Sequence, residues 1–328
     1  MVDPRTTLLI NPVAGNAEGA GLIDALRRSP EVAATSAAIV ELSLENFDDQ
    51  VQVSRRSDHV VVGGGDGTIS RVIGELDGYK GVVGLLPLGT ANDLARELGM
   101  PVVTPGTAVA ALEGLLTLPP RPVDVWELEW ERADGVRTAK RFVNYCSWGY
   151  DAAVLDDVDQ WRKGDIPPEF RNRLITRGAY LGFGIERLFK GQSLSAEVVG
   201  SDGVVHRLER LASLLIANVR SYMGIAESNR AGDIGDGRAE IVPVRSVLDL
   251  AGMLLPFRRG DPPFSVEGGT VRFFTPPKFC QLDGERIEIG AAQEFNLRRA
   301  YGLKVPDSRL VGDASPRLES GLEGSPNR

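Results

Sequence analysis

The sequence predicts an α/β fold in which a doubly wound parallel sheet is followed by a mostly antiparallel β-sandwich. In the first half, short apolar runs alternate with helical stretches, and glycine-rich loops follow two of those runs. Beyond about residue 119 the apolar runs are short or alternating, and turns separate them. The chain has 328 residues, 42% of them hydrophobic, which is enough for two cores of ordinary domain size.

The first half is predicted to contain four strand–helix units. The strands are expected to begin at Thr6 and to cover residues 37–42, 58–62 and 81–89. The helices are expected over residues 22–28, 45–55, 69–76 and 92–99, with a further helix over 105–117. Continuous apolar runs such as HVVVGG are typical of strands that are covered on both faces. Pro119, Pro120 and Pro122 mark the expected boundary, so we place the first domain at residues 1–118.

The second half, residues 119–305, is predicted to be the antiparallel domain. Alternating segments on either side of Asp134-Gly135 indicate a hairpin. Further strands are expected over residues 211–219, 239–244, 270–275, 279–282 and 294–299. A basic helical insertion over about residues 169–190 interrupts them. Residues 306–328 are rich in Ser, Gly, Pro and charge, and we expect a flexible tail there.

The composition excludes several classes of protein. A formal net charge of -8 argues against binding nucleic acid by neutralising its phosphates, so we expect no nucleic-acid partner. No apolar stretch approaches the roughly 20 residues that span a bilayer, and no signal pattern precedes the first strand, so we expect a cytoplasmic protein. Cys146 and Cys280 lack metal-ligand spacing and are predicted to be buried thiols. His59 and His206 belong to no recognisable catalytic constellation.

The first chemical motif is the segment GGGDGT at residues 63–68, which follows the third predicted strand. Glycines can bring backbone N–H groups against phosphate oxygens because no Cβ stands in the way. The helix that follows adds a positive end, and Thr68 is expected to cap it. The alternative is an ordinary strand-to-helix turn with Asp66 as a solvated acid. The segment is not a Walker A loop, because no GK[ST] follows.

The second motif, PLGTAND, follows the next predicted strand. Gly89 allows close approach, Thr90 offers a hydroxyl and Asn92 offers an amide to a base or ribose. Taken alone, Thr-Ala-Asn-Asp is a good helix start. Two polar glycine loops at consecutive strand ends should, however, open into one crevice, which favours a nucleotide site.

Three segments resemble the nucleotide-site motifs of the diacylglycerol kinase catalytic family, which includes sphingosine kinases, ceramide kinases and bacterial lipid kinases. These segments are NPVAGNAEG at 11–19, GGGDGT at 63–68 and PLGTANDLAR at 87–96. Segments at 142–154, 217–229 and 280–289 resemble the family's accessory domain. The resemblance implies a first domain like those of NAD kinase and 6-phosphofructokinase, with ATP lying across the loops and Mg²⁺ as a cofactor.

The resemblance also implies the site residues. The positions expected to contact nucleotide are Asn11, Pro12, Gly15, Ser43, Gly64, Gly65, Asp66, Gly67, Thr68, Gly89, Thr90 and Asn92. Glu285 would accept the proton of the lipid hydroxyl, and Asp66 would lie near the γ-phosphate. Asp283 would orient Glu285 or a metal-bound water, and both acids are expected on one face of a strand end.

A possible metal loop follows from the same resemblance. Asp233, Asp236 and Arg238 match a loop that holds a structural Mg²⁺ in bacterial relatives, partly through main-chain oxygens. The alternative is an acidic surface turn.

These features predict an ATP-dependent lipid kinase that phosphorylates the hydroxyl of diacylglycerol or a related lipid alcohol. A cluster of cations predicts peripheral contact with an anionic membrane at its inner face, with a solvated helix face as the alternative. Its members are Arg162, Lys163, Arg171, Arg173, Arg177, Arg187 and Lys190. The sequence leaves open which lipid alcohol is the acceptor and whether the protein forms a homodimer.

Two other functions stay open. GGDGT is shared with NAD kinases, so one is a soluble-substrate kinase of that superfamily. The other is a non-catalytic nucleotide- or lipid-binding homologue, because Ala14-Gly15-Asn16 stands where the family usually has Ser-Gly-Lys.

Overall fold

A computed structural model describes the chain over the following residues: 5–89, 92–149, 152, 193–222, 226–227, 232–246, 249, 262–278 and 280–311. The parallel part of its first sheet has the spatial order β2-β1-β3-β4. Those strands are β1 (Thr6–Ile10), β2 (Ala38–Glu41), β3 (His59–Gly64) and β4 (Val82–Pro87). All four run in the same direction, so their carboxyl ends and the loops that follow lie at one edge of the sheet.

Helices cover both faces of this sheet. They are α1 (Ala14–Arg28), α2 (Pro30–Ala34), α3 (Phe47–Ser54), α4 (Asp66–Gly74), α5 (Asp93–Glu97) and α6 (Ala108–Thr117). Successive residues of β1 point to opposite faces: Leu8 packs in a core with Leu22 of α1 and Leu112 of α6, whereas Leu9 packs in a core with Val51 of α3 and Val72 of α4. The predicted doubly wound arrangement is confirmed.

The second half is antiparallel, as predicted, and is built largely of hairpins. Its strands are β5 (Pro120–Glu131), β6 (Arg137–Phe142), β7 (Tyr145–Gly149), β8 (Leu194–Gly200), β9 (Val205–Leu211), β10 (Ser213–Ala217), β11 (Ser221–Tyr222), β12 (Ala226–Glu227), β13 (Ala239–Val244), β14 (Phe264–Val266), β15 (Gly268–Phe273), β16 (Cys280–Leu282), β17 (Glu285–Ile287) and β18 (Glu294–Pro306). One six-stranded sheet has the order β14-β13-β10-β7-β16-β17.

The remaining long strands extend the first sheet. Its ten strands include β18, which pairs in parallel with β4 through Lys304 and Val82 and antiparallel with β5 and β15. The sheet therefore continues across the expected boundary at residues 118 and 119. Trp126, Trp148, Phe273 and Phe295 pack between this extension and the six-stranded sheet, which forms the predicted sandwich.

The predicted tail begins too early. The Asp307 carboxylate is 1% exposed, accepts the backbone N–H of Arg309 and pairs with Arg121. Because these contacts tie the chain to β5, a tail from residue 306 is wrong for residues 306–311. Residues 312–328 lie outside the described residues, as do the basic insertion and its seven cations. Within the described part, no helix is long and apolar enough to cross a membrane.

Candidate active site

The two glycine loops touch at the carboxyl edge of the parallel sheet. A Cβ added to Gly89 would lie 2.7 Å from the Cα of Gly65 and 2.6 Å from Oδ1 of Asn92. Real Cβ atoms do not approach other atoms that closely, so a side chain at Gly89 would push the loops apart. The backbones of the loops after β3 and β4 therefore meet directly, as the sequence predicted.

Asp66 fastens these loops together. It opens α4, and its carboxylate accepts the backbone N–H groups of Asn92 (2.7 Å) and Asp93 (2.8 Å). Burial raises the pKa of Asp66 to about 7, and the neighbouring Asp93 carboxylate adds to this, although the two N–H bonds act in the opposite direction. Asp66 is thus a half-buried residue that holds the two loops together, and the alternative of a solvated turn acid is wrong.

Asn92 presents an unused acceptor beside the meeting point of the loops. Its backbone is left-handed, with φ of 50°, and its Nδ2 donates to the carbonyl of Gly89 at 2.7 Å. Its Oδ1 is buried and has no hydrogen-bond partner among the described residues. A buried acceptor without a partner costs about 1–3 kcal/mol, and a ligand N–H or O–H would relieve that cost. This atom fits the predicted nucleotide site.

The loop after β1 reaches the same edge of the sheet through Asn11. Its Nδ2 donates to Oγ1 of Thr68 at 2.9 Å. Gly65 occupies the N-cap position of α4 and Thr68 lies inside the helix, so the predicted capping by Thr68 is wrong. Gly15 has φ of 61°, and a Cβ there would lie 2.8 Å from the carbonyl oxygen of Leu88. The loop after β1 is therefore also in close contact with the loop after β4.

For the other residues predicted to contact nucleotide, the geometry gives no direct sign of a ligand. The hydroxyl of Ser43 accepts the backbone N–H of Asn46 at 3.3 Å, so it stabilises the turn after β2. Pro12 is half-buried in the loop after β1, and a Cβ on Gly64 would lie 2.6 Å from the Cβ of Thr68. Thr90 lies outside the described residues. The nucleotide contacts of these residues stay predictions.

Asp283 and Gly284 form the turn of the hairpin between β16 and β17. Their φ angles are 48° and 83°, the pair of positive values typical of a two-residue hairpin turn. The expected placement of Asp283 and Glu285 on one face of a strand end is wrong, because the chain reverses between them. Asp283 is 7% exposed and turns inward, whereas Glu285 is exposed at the start of β17.

The buried carboxylate of Asp283 accepts hydrogen bonds from the backbone at the start of β7. It accepts the backbone N–H groups of Val143 (2.8 Å), Asn144 (2.8 Å) and Tyr145 (3.0 Å). Burial raises the pKa of Asp283 to about 6, while these N–H bonds act against the rise. With its oxygens already hydrogen-bonded, Asp283 orients the hairpin that carries Glu285.

A cleft of about 680 Å³ brings the two halves together. A Cβ placed on Gly67 would lie 3.6 Å from Oε1 of Glu285, so this carboxylate stands over the glycine loop. The residues lining the cleft are Asp48, Gly67, Ser70, Arg71, Gly74, Glu75, Glu127, Ala139, Lys140, Arg141, Leu282, Asp283, Glu285 and Ile287. An acid from the second half therefore faces a predicted phosphate loop from the first.

Sequence reasoning missed part of this polar interior. Asp93 is 2% exposed and accepts the hydroxyls of Ser221 (2.5 Å) and Tyr145 (3.4 Å). Asn144 Oδ1 is buried and has no hydrogen-bond partner within the described part of the chain. The second acid of GTAND was a usable signal for Asp93, but it was interpreted only as a helix start. Nothing local marks Asn144, because the residues that contact its backbone, Asp283 and Asn218, are distant in sequence.

The donor set at the loops fits a magnesium ion shared with phosphates. Mg²⁺ is usually held by one or two carboxylates together with substrate phosphate oxygens. Asp66 and Asp93 are the carboxylates at these loops; their oxygens accept hydrogen bonds from the protein, but each keeps a lone pair for a cation, which would offset the effect of burial on the pKa of Asp66. The described residues contain no group of three or more His, Cys, Asp or Glu arranged to hold a metal by themselves.

The carboxylates of the predicted metal loop are engaged in protein contacts. Asp233 pairs with Arg121 and accepts the backbone N–H of Gly235 at 3.0 Å. Asp236 accepts the backbone N–H of Arg238 at 2.9 Å, and Arg238 pairs with Glu267 at 2.8 Å. Metal binding by this loop stays a prediction.

Comparison with known proteins agrees with this geometry. Residues 5–128 match the diacylglycerol kinase catalytic domain, and residues 141–286 match the diacylglycerol kinase accessory domain. The chain is 30% identical over 292 residues to the "Probable lipid kinase YegS-like" of Pseudomonas fluorescens, which covers 84% of this chain and 88% of that protein. The chain belongs to the diacylglycerol kinase catalytic-domain family. Relatives of the same name from Pseudomonas putida and Chromohalobacter salexigens match over 61% and 56% of their own length.

Solved structures share the fold of this family member. A diacylglycerol kinase from Bacillus anthracis superposes with a TM-score of 0.67 at 19% identity, covering 95% of this chain and 99% of that one. Yeast NADH kinase in complex with NADH superposes with a TM-score of 0.52 at 13% identity, covering 96% of this chain and 89% of that one. The predicted resemblance to the NAD kinase fold is confirmed.

Proposed function

We propose that this protein transfers the γ-phosphoryl group of ATP to the hydroxyl of a lipid alcohol, with diacylglycerol as the first candidate acceptor. The observation that carries the proposal is the Glu285 carboxylate, which lies in one cleft with Gly67 of the glycine loop. Membership in a lipid kinase family supports the lipid acceptor.

Phosphoryl transfer requires mainly that two oxygens be held in line and that negative charge be neutralised. The glycine loop between β3 and α4 offers backbone N–H groups and the positive end of a nine-residue helix. Asp66 holds this loop against the one after β4, and Oδ1 of Asn92 offers an acceptor to the nucleotide. Magnesium, held by Asp66 and Asp93, would neutralise charge on the phosphates when bound.

Glu285 supplies the base. The acceptor hydroxyl forms its bond to the γ-phosphorus while the bond from that phosphorus to the β–γ bridging oxygen breaks, releasing ADP. The hydroxyl proton passes to a carboxylate oxygen of Glu285, and the lipid leaves as a phosphate monoester. Asp283 fixes the turn before Glu285 by holding the backbone of residues 143–145.

A lipid acceptor requires access to a membrane surface, so the proposal includes peripheral association of a cytoplasmic protein with an anionic membrane at its inner face. Sedimentation with vesicles of phosphatidylcholine, with and without phosphatidylglycerol, tests this part separately from turnover. Binding that is equal for both kinds of vesicle would contradict the requirement for anionic lipid.

The central experiment is a transfer assay with labelled ATP and Mg²⁺ on a panel of acceptors. The panel contains diacylglycerol, ceramide, a sphingoid base, a total lipid extract and NAD. We expect label in a lipid phosphate. Label in NAD alone would reject the lipid acceptor in favour of the soluble-substrate kinase, and no label in any acceptor would favour a non-catalytic homologue.

A further inference from the structure

A second cleft lies at the opposite end of the parallel strands. It has a volume of about 630 Å³, and we call it the amino-edge cleft. The charged residues that line it are Arg5, Arg55, Arg56, Asp58 and Lys80. They immediately precede β1, β3 and β4, whereas the glycine loops follow those strands. The six residues of β3 separate the two edges by roughly 20 Å at about 3.3 Å per residue.

The charge of this cleft is unusual in a chain with a formal net charge of -8. Four side chains that carry a permanent positive charge line it, against the single carboxylate of Asp58. Arg5 pairs with that carboxylate at 3.2 Å. The side chains of Arg56 and Lys80 are exposed and have no hydrogen bond or ion pair to any described residue. Two cations therefore face the cleft without a counter-charge from the described chain.

The floor of the cleft is rigid. The hydroxyl of Tyr79 donates to the carbonyl of Ser57 at 2.9 Å, and the N–H of Val82 donates to the carbonyl of Asp58 at 2.9 Å. A Cβ added to Gly81 would lie 2.2 Å from that same carbonyl oxygen, so the two segments pack backbone to backbone. The segments that carry the free cations are thus held in place before any ligand arrives.

His59 and Arg55 also line the amino-edge cleft. His59 begins β3 and is half-buried. Arg55 is anchored, because it donates to Oε1 of Gln52 at 2.9 Å and to the carbonyl of Asp77. Guanidinium and ammonium groups around a concave, preformed surface are the groups that recognise phosphate oxygens in proteins.

We propose that the amino-edge cleft binds a phosphate-bearing anion, with Arg56 and Lys80 as its principal contacts. The site is separate from the glycine loops and does not depend on the proposed phosphoryl transfer. The anion is either a free phosphate compound or a phosphate of a lipid headgroup, since both present the same oxygens to the cations.

The test is a binding titration of the full chain with inorganic pyrophosphate, carried out with and without a saturating, non-hydrolysable ATP analogue that fills the glycine loops. Vesicles of phosphatidylcholine with and without phosphatidic acid form the second arm. The variant Arg56→Ala/Lys80→Ala removes the two free cations. The control Arg137→Ala/Lys278→Ala removes one arginine and one lysine from exposed positions in the second half. The two double variants therefore have the same net charge.

We expect Arg56→Ala/Lys80→Ala to bind about tenfold more weakly than the wild type, and the control to bind like the wild type. Loss in the pyrophosphate arm assigns a free phosphate compound, and loss only in the phosphatidic acid arm assigns a lipid headgroup. Three results would overturn the proposal: no binding in either arm, binding abolished by the ATP analogue, or equal binding by both double variants. Thermal unfolding of each variant checks that the fold is intact.

Discussion

The glycine loop of the first half and the hairpin of the second half each place acids beside glycine at the end of a strand, yet those acids do different work. Asp66 and Asp283 are turned inward, and together they accept five backbone N–H bonds. Glu285 is exposed in the cleft. The inward-facing acids therefore build the site, whereas the exposed acid is available to the substrate.

The comparison predicts its largest effect at Glu285. Glu285→Gln keeps the shape of the side chain but removes the proton acceptor, so we expect turnover to fall by about 100-fold or more. The measurement is the initial rate with labelled ATP and the acceptor identified from the panel. Glu288→Gln, an exposed acid directly after the same strand, is the matched control. If both variants retain the wild-type rate, Glu285 is not the base.

Replacing Asp283 should instead lower the stability of the fold. Asp283→Ala leaves three buried N–H groups without their acceptor, and we expect the free energy of unfolding to fall by about 3 kcal/mol. Urea denaturation of the variant and of Glu285→Gln measures the contrast directly. A loss of stability in Glu285→Gln as large as in Asp283→Ala would break the distinction between the two acids.

The contact between the glycine loops gives a sharper test of the nucleotide site. Gly89→Ala places a methyl group against Gly65 and Asn92, so we expect affinity for an ATP analogue to fall about tenfold. Gly114→Ala on α6 is the control, because a Cβ there meets nothing within 4 Å. Calorimetric titration measures both. Unchanged affinity in Gly89→Ala would place the nucleotide away from these loops.

The raised pKa values of the two inward-facing acids predict a pH dependence of stability. Burial raises the pKa of Asp66 to about 7 and of Asp283 to about 6, above the value near 4 of an unfolded aspartate. The folded state therefore binds more protons between about pH 4 and pH 7, and its stability decreases as the pH rises through that window. Asp66→Asn should flatten this slope, as measured by urea denaturation across the range. Glu113→Gln, an exposed acid on α6, should keep the wild-type slope.

Much of the fold followed from local patterns. The apolar runs located β1 to β4 to within two residues at each end, and the glycine loops marked the edge where Gly65 and Gly89 meet. Asp283 and Gly284 form a hairpin turn, which an Asp-Gly pair favours. These features depend on neighbours in sequence, because periodicity and turn propensity act over a few residues.

The α/β class, the glycine loops and the acids of the candidate site could all be inferred from local patterns in the chain. The return of β18 to β4, the bonds from Asp66 to the start of α5 and the opposite orientations of Asp283 and Glu285 became evident only from the fold. The amino-edge cleft was also visible only in the fold, because its cations come from separate segments of the chain. The physical reason is that burial and hydrogen bonding at these positions are set by residues distant in the chain, which no local pattern encodes.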